Sequence, residues 1–487
     1  MQSVILCYLL FIPLCVAVLS LGADNKALQS KVKIISASLA LFALPLVFHL
    51  TAKSVIYGYE ISYSFTKSTT LYPLAVSRYG LIFLTLLSLI YPFGLIYTFK
   101  YLEETKHKKQ SIFLVFYNLS MFAGFGMSLA GNMLILLVFY ELITLFSYPL
   151  ILGSATKESI SASRSYLLYL VGTSVVLLMP ALSYVYSKTN MLGFYYGGTI
   201  ASVGLSKTEI NVLYLMFVIG FAKTAIWPVS GWLIKAMVAP APVSALLHSL
   251  VVVKSGLFGL FLITYKVFGL KLLQQNLWSI GGVNILTLMS TFTIISAGIA
   301  ASKEQNLKKR FAYSTINQVS LAILMISTLS FTGIQAAMVQ FLTHGIVKFT
   351  LFSALGCCKI VNGDYQLQGI GNLWKRSPIT GITMFITCLA LLGIPPTSGF
   401  YVKYQMLTTA FGSENYFIFG VIVLATILSF MYTFEILYNL MPKNANNKSK
   451  GKFKKIPHTM QFTLVYFCYL IIVSAKPIKE ISALLTF

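Results

Sequence analysis

The 487-residue chain is 57% hydrophobic and only 10% charged, with 36 Lys and Arg against 12 Asp and Glu and a formal net charge of +24. That balance is far from the roughly 25% charged and 45–50% apolar usage of soluble domains and excludes one. The lysines sit in short stretches between apolar runs rather than along one solvated face, which excludes a nucleic-acid-binding surface too. The six cysteines (Cys7, Cys15, Cys357, Cys358, Cys388, Cys468) form no CxxC and lie in or beside apolar runs. Neither a disulfide frame nor a metal cluster is expected from them, and no cofactor or redox centre is expected in the chain.

Apolar runs of about 20 residues each are candidate membrane spans. They fall near 4–21, 33–50, 78–99, 111–130, 132–153, 166–187, 210–233, 242–264, 277–301, 311–331, 335–357, 377–411, 415–441 and 459–475, which predicts an all-α polytopic membrane protein of about fourteen spans. The first run carries no Lys or Arg at its start and is closely followed by a second, so it reads as a span and not a secretory signal. The stretch 377–411 is too long for one straight helix. Alternate loops, beginning with the one after the first span, hold about 23 Lys and Arg, and the opposite side about 9, including Lys53, Lys67, Arg78, Lys188, Lys207, Lys266, Lys271, Lys476 and Lys479. Both termini are therefore expected away from the cytoplasm. The most basic stretch, KNANNKSKGKFKK at 443–455, reads as an anchor against anionic headgroups. The Gly-rich segment 188–209 has no phosphate-loop spacing and reads as an ordinary loop.

Inside the spans the ionisable residues are few and stand out. Placing a charge at the bilayer centre costs at least ~2.5–3.5 kcal/mol, so each is a functional candidate. Glu141 is the tenth residue of NMLILLVFYELITLFSYPLILG, where neither helix end lets it reach water; Glu435, in SFMYTFEILYNLMP, lies nearer an end and can snorkel. Lys223 precedes Pro228 by five residues, and that proline kinks or breaks the helix. His248 and Lys254, six apart, flank a groove at roughly 120° around a helix, whereas His344 and Lys348, four apart, share a face. Lys403 follows GIPPTSGFYV, a second interrupted helix with Pro395 and Pro396. A lone histidine in an apolar span is ordinarily a packing residue, but here six bases recur in four spans. Desolvation disfavours a charged lysine and a nearby carboxylate favours it, so a chain of such groups can accept and release protons. Two proline-broken helices about five spans apart, each bearing a lysine, point to an internal repeat of the transporter kind.

The chain resembles the antiporter-like membrane subunits shared by respiratory complex I, membrane-bound hydrogenases and Mrp-type cation/proton antiporters. The resemblance runs over roughly residues 110–410 and is carried by FYELITLFSYPLIL, FAKTAIWP, APAPVSALLHSLVVVKSG, KKRFAYSTINQVS, LTHGIVKFTLFSALG and GIPPTSGFYVKYQML. It implies two inverted five-helix repeats, each a half-channel with a broken helix: 111–264 and 277–411, flanked by an N-terminal three-helix segment 1–110 and a C-terminal two-helix segment 412–487. It implies further that Glu141 and Lys223 form the ion pair of the first half-channel. Lys254 with His248 then forms a central bridge, and His344, Lys348 and Lys403 form the second half-channel. The expected function is translocation of protons, exchanged for sodium in the Mrp branch, beside other integral subunits of one complex in a bacterial plasma membrane or mitochondrial inner membrane. That complex would be an Mrp antiporter, a hydrogenase-linked complex or an NADH:quinone oxidoreductase; the chain itself shows no catalytic centre.

Departures from the family pattern are local. Two residues after the proline of the broken helix the family usually has a histidine and then Trp-Leu-Pro-Asp; here Ser230 stands there, and Trp232-Leu233 is followed by Ile234-Lys235, with Met237 where a histidine or tyrosine is common. These changes leave proton access at that end unassigned. A transport-silent scaffold subunit and a stand-alone secondary transporter are the competing readings. The long lateral helix of the largest family members does not follow Phe487, so the chain resembles the medium-sized ones.

Overall fold

Helices form along the apolar runs because, without water, a spanning segment must satisfy its own backbone donors and acceptors. The computed structural model describes residues 2–57, 61–63, 74–153, 155–195, 197–441 and 455–474. The basic stretch 443–455, apart from Lys455, and Lys67, Lys476 and Lys479 lie outside them. Among the described residues ten helices are long and apolar enough to cross a membrane: Ile5–Asp24, Leu28–Ala52, Arg78–Glu104, Gln110–Ser128, Met133–Leu152, Lys157–Thr189, Ala241–Phe268, Ile285–Lys303, Phe331–Asn362 and Tyr416–Leu440. Pro378–Leu392 and His458–Val473 are apolar but shorter. Strands are confined, among the described residues, to two antiparallel pairs, Ile61–Tyr63 with Leu74–Val76 and Ser279–Ile280 with Val283–Asn284.

Burial sorts these helices into layers. Within their most apolar windows Ala241–Phe268 and Phe331–Asn362 are wholly enclosed by protein, whereas Leu28–Ala52 and Lys157–Thr189 are each only 28% buried. The two enclosed helices are the ones that carry His248, Lys254, His344 and Lys348. Their charges never face lipid, which removes most of the penalty for placing them at membrane depth.

Both predicted breaks are present. The run 210–233 divides into Lys207–Gly220, a one-turn stretch Ala222–Thr224, and Gly231–Lys235, with a cis bond at Trp227-Pro228. Freed backbone groups find side chains here: Trp232 Nε1 donates to the Ala222 carbonyl (3.0 Å), and Thr293 Oγ1 accepts from Trp227 N (3.1 Å). The over-long run 377–411 is two helices, Pro378–Leu392 and Ser398–Gly412, parted by Gly393 at φ +78° and a cis Pro395-Pro396 bond. Pro240 and Pro242 do not break a helix; they stand at the start of Ala241–Ala245, where a missing N–H costs nothing. A third irregularity has no proline: Leu246–Leu250 is a wide π turn with His248 inside it.

The loop within 188–209 is pinned to the end of the enclosed helix. Thr199 N and Ile200 N donate to the carbonyls of Lys266 and Val267, both at 3.0 Å. Gly198 and Gly269 meet there at positive φ, and a Cβ on either would lie 2.2–2.4 Å from main-chain oxygen of the facing segment. Lys266, which the hydropathy pattern places in a loop, is 1% exposed.

Candidate functional site

Glu141 lies midway along Met133–Leu152, and Lys223 lies in the turn of the first break. Lys223 is fully buried, and its surroundings are built by Tyr140. Its Nζ donates to the Tyr140 carbonyl and sits 3.3 Å from the centre of the Tyr140 ring, while its backbone N–H donates to the Tyr140 hydroxyl at 3.3 Å. Glu141 makes no direct ion contact with Lys223 among the described residues. Its Oε1 is buried without a hydrogen-bond partner. The expected ion pair is not formed as a direct contact; the Tyr140 carbonyl takes the Lys223 ammonium instead.

The enclosed pair of helices meets at Lys254 and His344. Lys254 Nζ donates to the Phe341 carbonyl and lies 3.2 Å from His344 Nδ1. A donating ammonium requires Nδ1 to accept, which places the proton of a neutral His344 ring on Nε2. That atom is buried without a hydrogen-bond partner, as is Thr343 Oγ1. His344 and Thr343 line a cavity of about 20 Å³ with Gln318, Gln340, Gly399 and Lys403. This is room for a water molecule, with enough polar atoms to hold it. On its far side Lys403 Nζ donates to the Leu392 carbonyl (2.9 Å), a group left open by the second break.

His344 and Lys348 share a helix but serve different neighbours. Lys348 Nζ donates to the Phe311 carbonyl (3.1 Å) and to Ser314 Oγ on Leu307–Ile326. His248 lines no groove with Lys254: both are fully buried. The His248 ring stacks on Phe352 with centroids 4.7 Å apart, its Nε2 meets Met237 Sδ at 3.2 Å, and its Nδ1 has no partner.

Four functional candidates escaped sequence reasoning. Lys308 is buried, donates to the Ala239 carbonyl, and lies 5.0 Å from the Tyr365 ring centre. Arg310 is fully buried, paired with Glu435 and bonded to the carbonyls of Glu304 (2.7 Å), Tyr432 (3.2 Å) and Ser302 (3.3 Å). Glu435 is therefore a partner for a buried charge, with its own side chain 39% exposed. Gln318 and Gln340, bonded to each other at 3.1 Å, look like ordinary polar residues in an apolar run.

A shared physical device holds the bases. Each of Lys223, Lys254, Lys308, Lys348 and Lys403 captures one backbone carbonyl. For Lys223, Lys254 and Lys348 the aromatic ring of the same residue also lies within reach, at 3.3, 4.6 and 5.5 Å. Carbonyl and ring face together solvate an ammonium without a full counter-charge. Among the described residues no group of three or more His, Cys, Asp or Glu could hold a metal.

Interrupted membrane helices around an interior row of bases define an ionisable-core, polytopic membrane protein. Residues 130–429 match the family NADH:quinone oxidoreductase/Mrp antiporter, TM, and the chain belongs to that family. It is 28% identical over 449 residues to NADH-ubiquinone oxidoreductase chain 5 of Anopheles gambiae, covering 91% of this chain and 73% of that one. It is 26% identical over 362 residues to a Na(+)/H(+) antiporter subunit of Alkalihalophilus pseudofirmus, covering 73% and 71%. Across such relatives the chain spans between 41% and 74% of their length. Its fold is that of a chain in the membrane-bound sulfane sulfur reductase, an archaeal respiratory membrane complex (TM-score 0.84, 22% identity, 100% of this chain and 96% of that one). The same holds for a chain of the Mrp complex from Dietzia sp. (TM-score 0.83, 18% identity, 99% and 96%).

Proposed function

We propose that the chain is a proton-translocating, antiporter-like subunit of a multi-subunit membrane complex, working beside other integral subunits. Protons move along Glu141, Lys223, His248, Lys254, His344, Lys348 and Lys403, with sodium as the counter-ion where the complex is of the Mrp type. The spans number fourteen, residues 111–264 and 277–411 being two inverted repeats, and both termini lie away from the cytoplasm. One interrupted helix in each half supports the repeat.

The observation that carries this reading is the continuity from Lys254 through His344 to the cavity and Lys403. Lys254 gives its proton to His344 Nδ1 as the ring releases one from Nε2; a cavity water takes that proton and passes it to a neutral Lys403. Each step moves one proton between groups within hydrogen-bond or one-water reach. The surrounding apolar helices keep bulk water out, so the carriers are these side chains.

The test is Lys254→Ala in inverted vesicles carrying the native complex, with proton uptake followed by a pH-sensitive dye and assembly checked by co-purification. Uptake is expected to fall to background in a complex that still assembles. Full uptake would support the scaffold reading instead.

A further inference from the structure

The row needs a place where protons reach it from the lysine-rich face, and the Ser230–Lys235 end does not offer one. Trp232 is fully buried there against Tyr166, with ring centroids 5.4 Å apart, and Lys235 points outward to Ser165 Oγ (3.3 Å).

A different opening lies where two lysine-rich loops meet. Residues 365–367 run antiparallel across residues 305–307: Leu307 N donates to the Tyr365 carbonyl (2.9 Å) and Leu367 N to the Gln305 carbonyl (3.2 Å). This strap lays the Tyr365 ring beside Lys308. The ring centre is 5.0 Å from the buried Lys308 Nζ and 5.5 Å from Lys359 Nζ, and Lys359 is exposed. Behind Lys308 the turn 236–239 leads to His248: the Ala239 carbonyl accepts from Lys308 Nζ, Met237 Sδ two residues before it meets His248 Nε2 at 3.2 Å, and His248 Nδ1 is buried and unpartnered. The Tyr365 hydroxyl meets Tyr101. One aromatic ring therefore lies between the exposed Lys359 and the buried Lys308.

We propose that Tyr365 is the proton port of this chain, its ring covering Lys308 and admitting protons to Lys308 and then His248. This rests on the proton-row reading above. A charged Lys308 holds the ring down by cation–π attraction and keeps solvent out. When Lys308 passes its proton to His248 it becomes a neutral amine, that attraction ends, and the loosened strap lets water deliver the next proton to Nζ. One proton arrives and one leaves per cycle, and no other bond changes.

The experiment imposes a pH step on inverted vesicles carrying the native complex and reads the passive decay of the gradient. Tyr365→Ala is expected to raise passive proton leak roughly tenfold, the weight of one desolvated cation–π contact. Tyr365→Phe, which keeps the ring, should stay at the parental level, and adding Lys308→Ala to Tyr365→Ala should remove the extra leak. A Tyr365→Ala barrier as tight as the parent's overturns the proposal, and so does a leak that survives Lys308→Ala, since that is a packing defect. If Tyr365→Ala does not assemble, Tyr365→Val should leak more than Tyr365→Phe, and equal barriers overturn the port. Loss of uptake in Lys254→Ala beside an unchanged Tyr365→Ala barrier rejects the port and keeps the row, whereas full uptake in Lys254→Ala rejects the row itself.

Discussion

The two interrupted helices solve the same problem in different ways. In the first, Lys223 precedes the proline and reaches across to the carbonyl of Tyr140 on a neighbouring helix. In the second, Lys403 follows the prolines and turns back to the Leu392 carbonyl opened by its own break. Lys403 lines a water-sized cavity, whereas Lys223 is wrapped by one tyrosine. A broken helix thus supplies a lysine site either by exporting the ammonium to a neighbour or by retaining it locally. The second arrangement leaves room for water to substitute for a missing side chain.

That contrast sets the order of expected effects. Lys223→Ala should lower proton uptake by about a hundredfold or more, the weight of a positioned proton carrier with no substitute. Lys403→Ala should lower it only roughly tenfold, because water in the enlarged cavity can stand in for the amine. Both are read as dye-detected uptake in vesicles, and equal losses would show that the cavity does not matter. The backbones at the two breaks should, by contrast, behave alike. A Cβ on Gly256 would lie 2.5 Å from Thr224 N, and one on Gly399 would lie 1.9 Å from the Ala390 carbonyl oxygen. Gly256→Ala and Gly399→Ala are each expected to cost about 3 kcal/mol, the upper range of overpacking, because main chain cannot rotate away. Thermal unfolding of the purified complex measures this, and a tolerated alanine at one break alone would show that break to be the looser. A smaller effect is expected at the edge of the second half. Glu435→Gln leaves Arg310 buried with three carbonyls still bonded, and the side chain lost is 39% exposed. The expected cost is about 1–2 kcal/mol in the same unfolding measurement, well short of the 3–5 of a fully stranded buried charge.

The residues at membrane mid-depth were legible in the sequence, and their partners were not. A lysine amid apolar residues has no innocent reason to be there, so Lys223, Lys254, Lys348 and Lys403 announce themselves. The breaks were equally plain, since a proline removes a helical hydrogen bond wherever it falls. Lys308 and Arg310 were invisible because KKR at the start of a span is what an ordinary loop flank looks like. Only the packed structure shows that two of its three cations turn inward. Tyr140 was missed for the opposite reason: aromatic residues are common in spans, and a backbone carbonyl as a lysine partner leaves no trace in composition. The contact of Lys254 with His344 joins residues 90 positions apart, and no periodicity within one helix can report it.

The smallest expected effect falls at Ser230, where the family resemblance leads one to expect a histidine. Its hydroxyl makes no cap hydrogen bond to the helix Gly231–Lys235 that follows. Around it the break is held by other groups, Trp232 Nε1 on the Ala222 carbonyl and Thr293 Oγ1 on Trp227 N. Ser230→Ala therefore removes no bond on which the turn depends, and its stability should stay within about 0.5 kcal/mol of the parent, with proton uptake unchanged. A strong loss of uptake would mean that protons pass the first break at Ser230 after all. Both the port at Tyr365 and the dry, exported character of Lys223 would then have to be given up together.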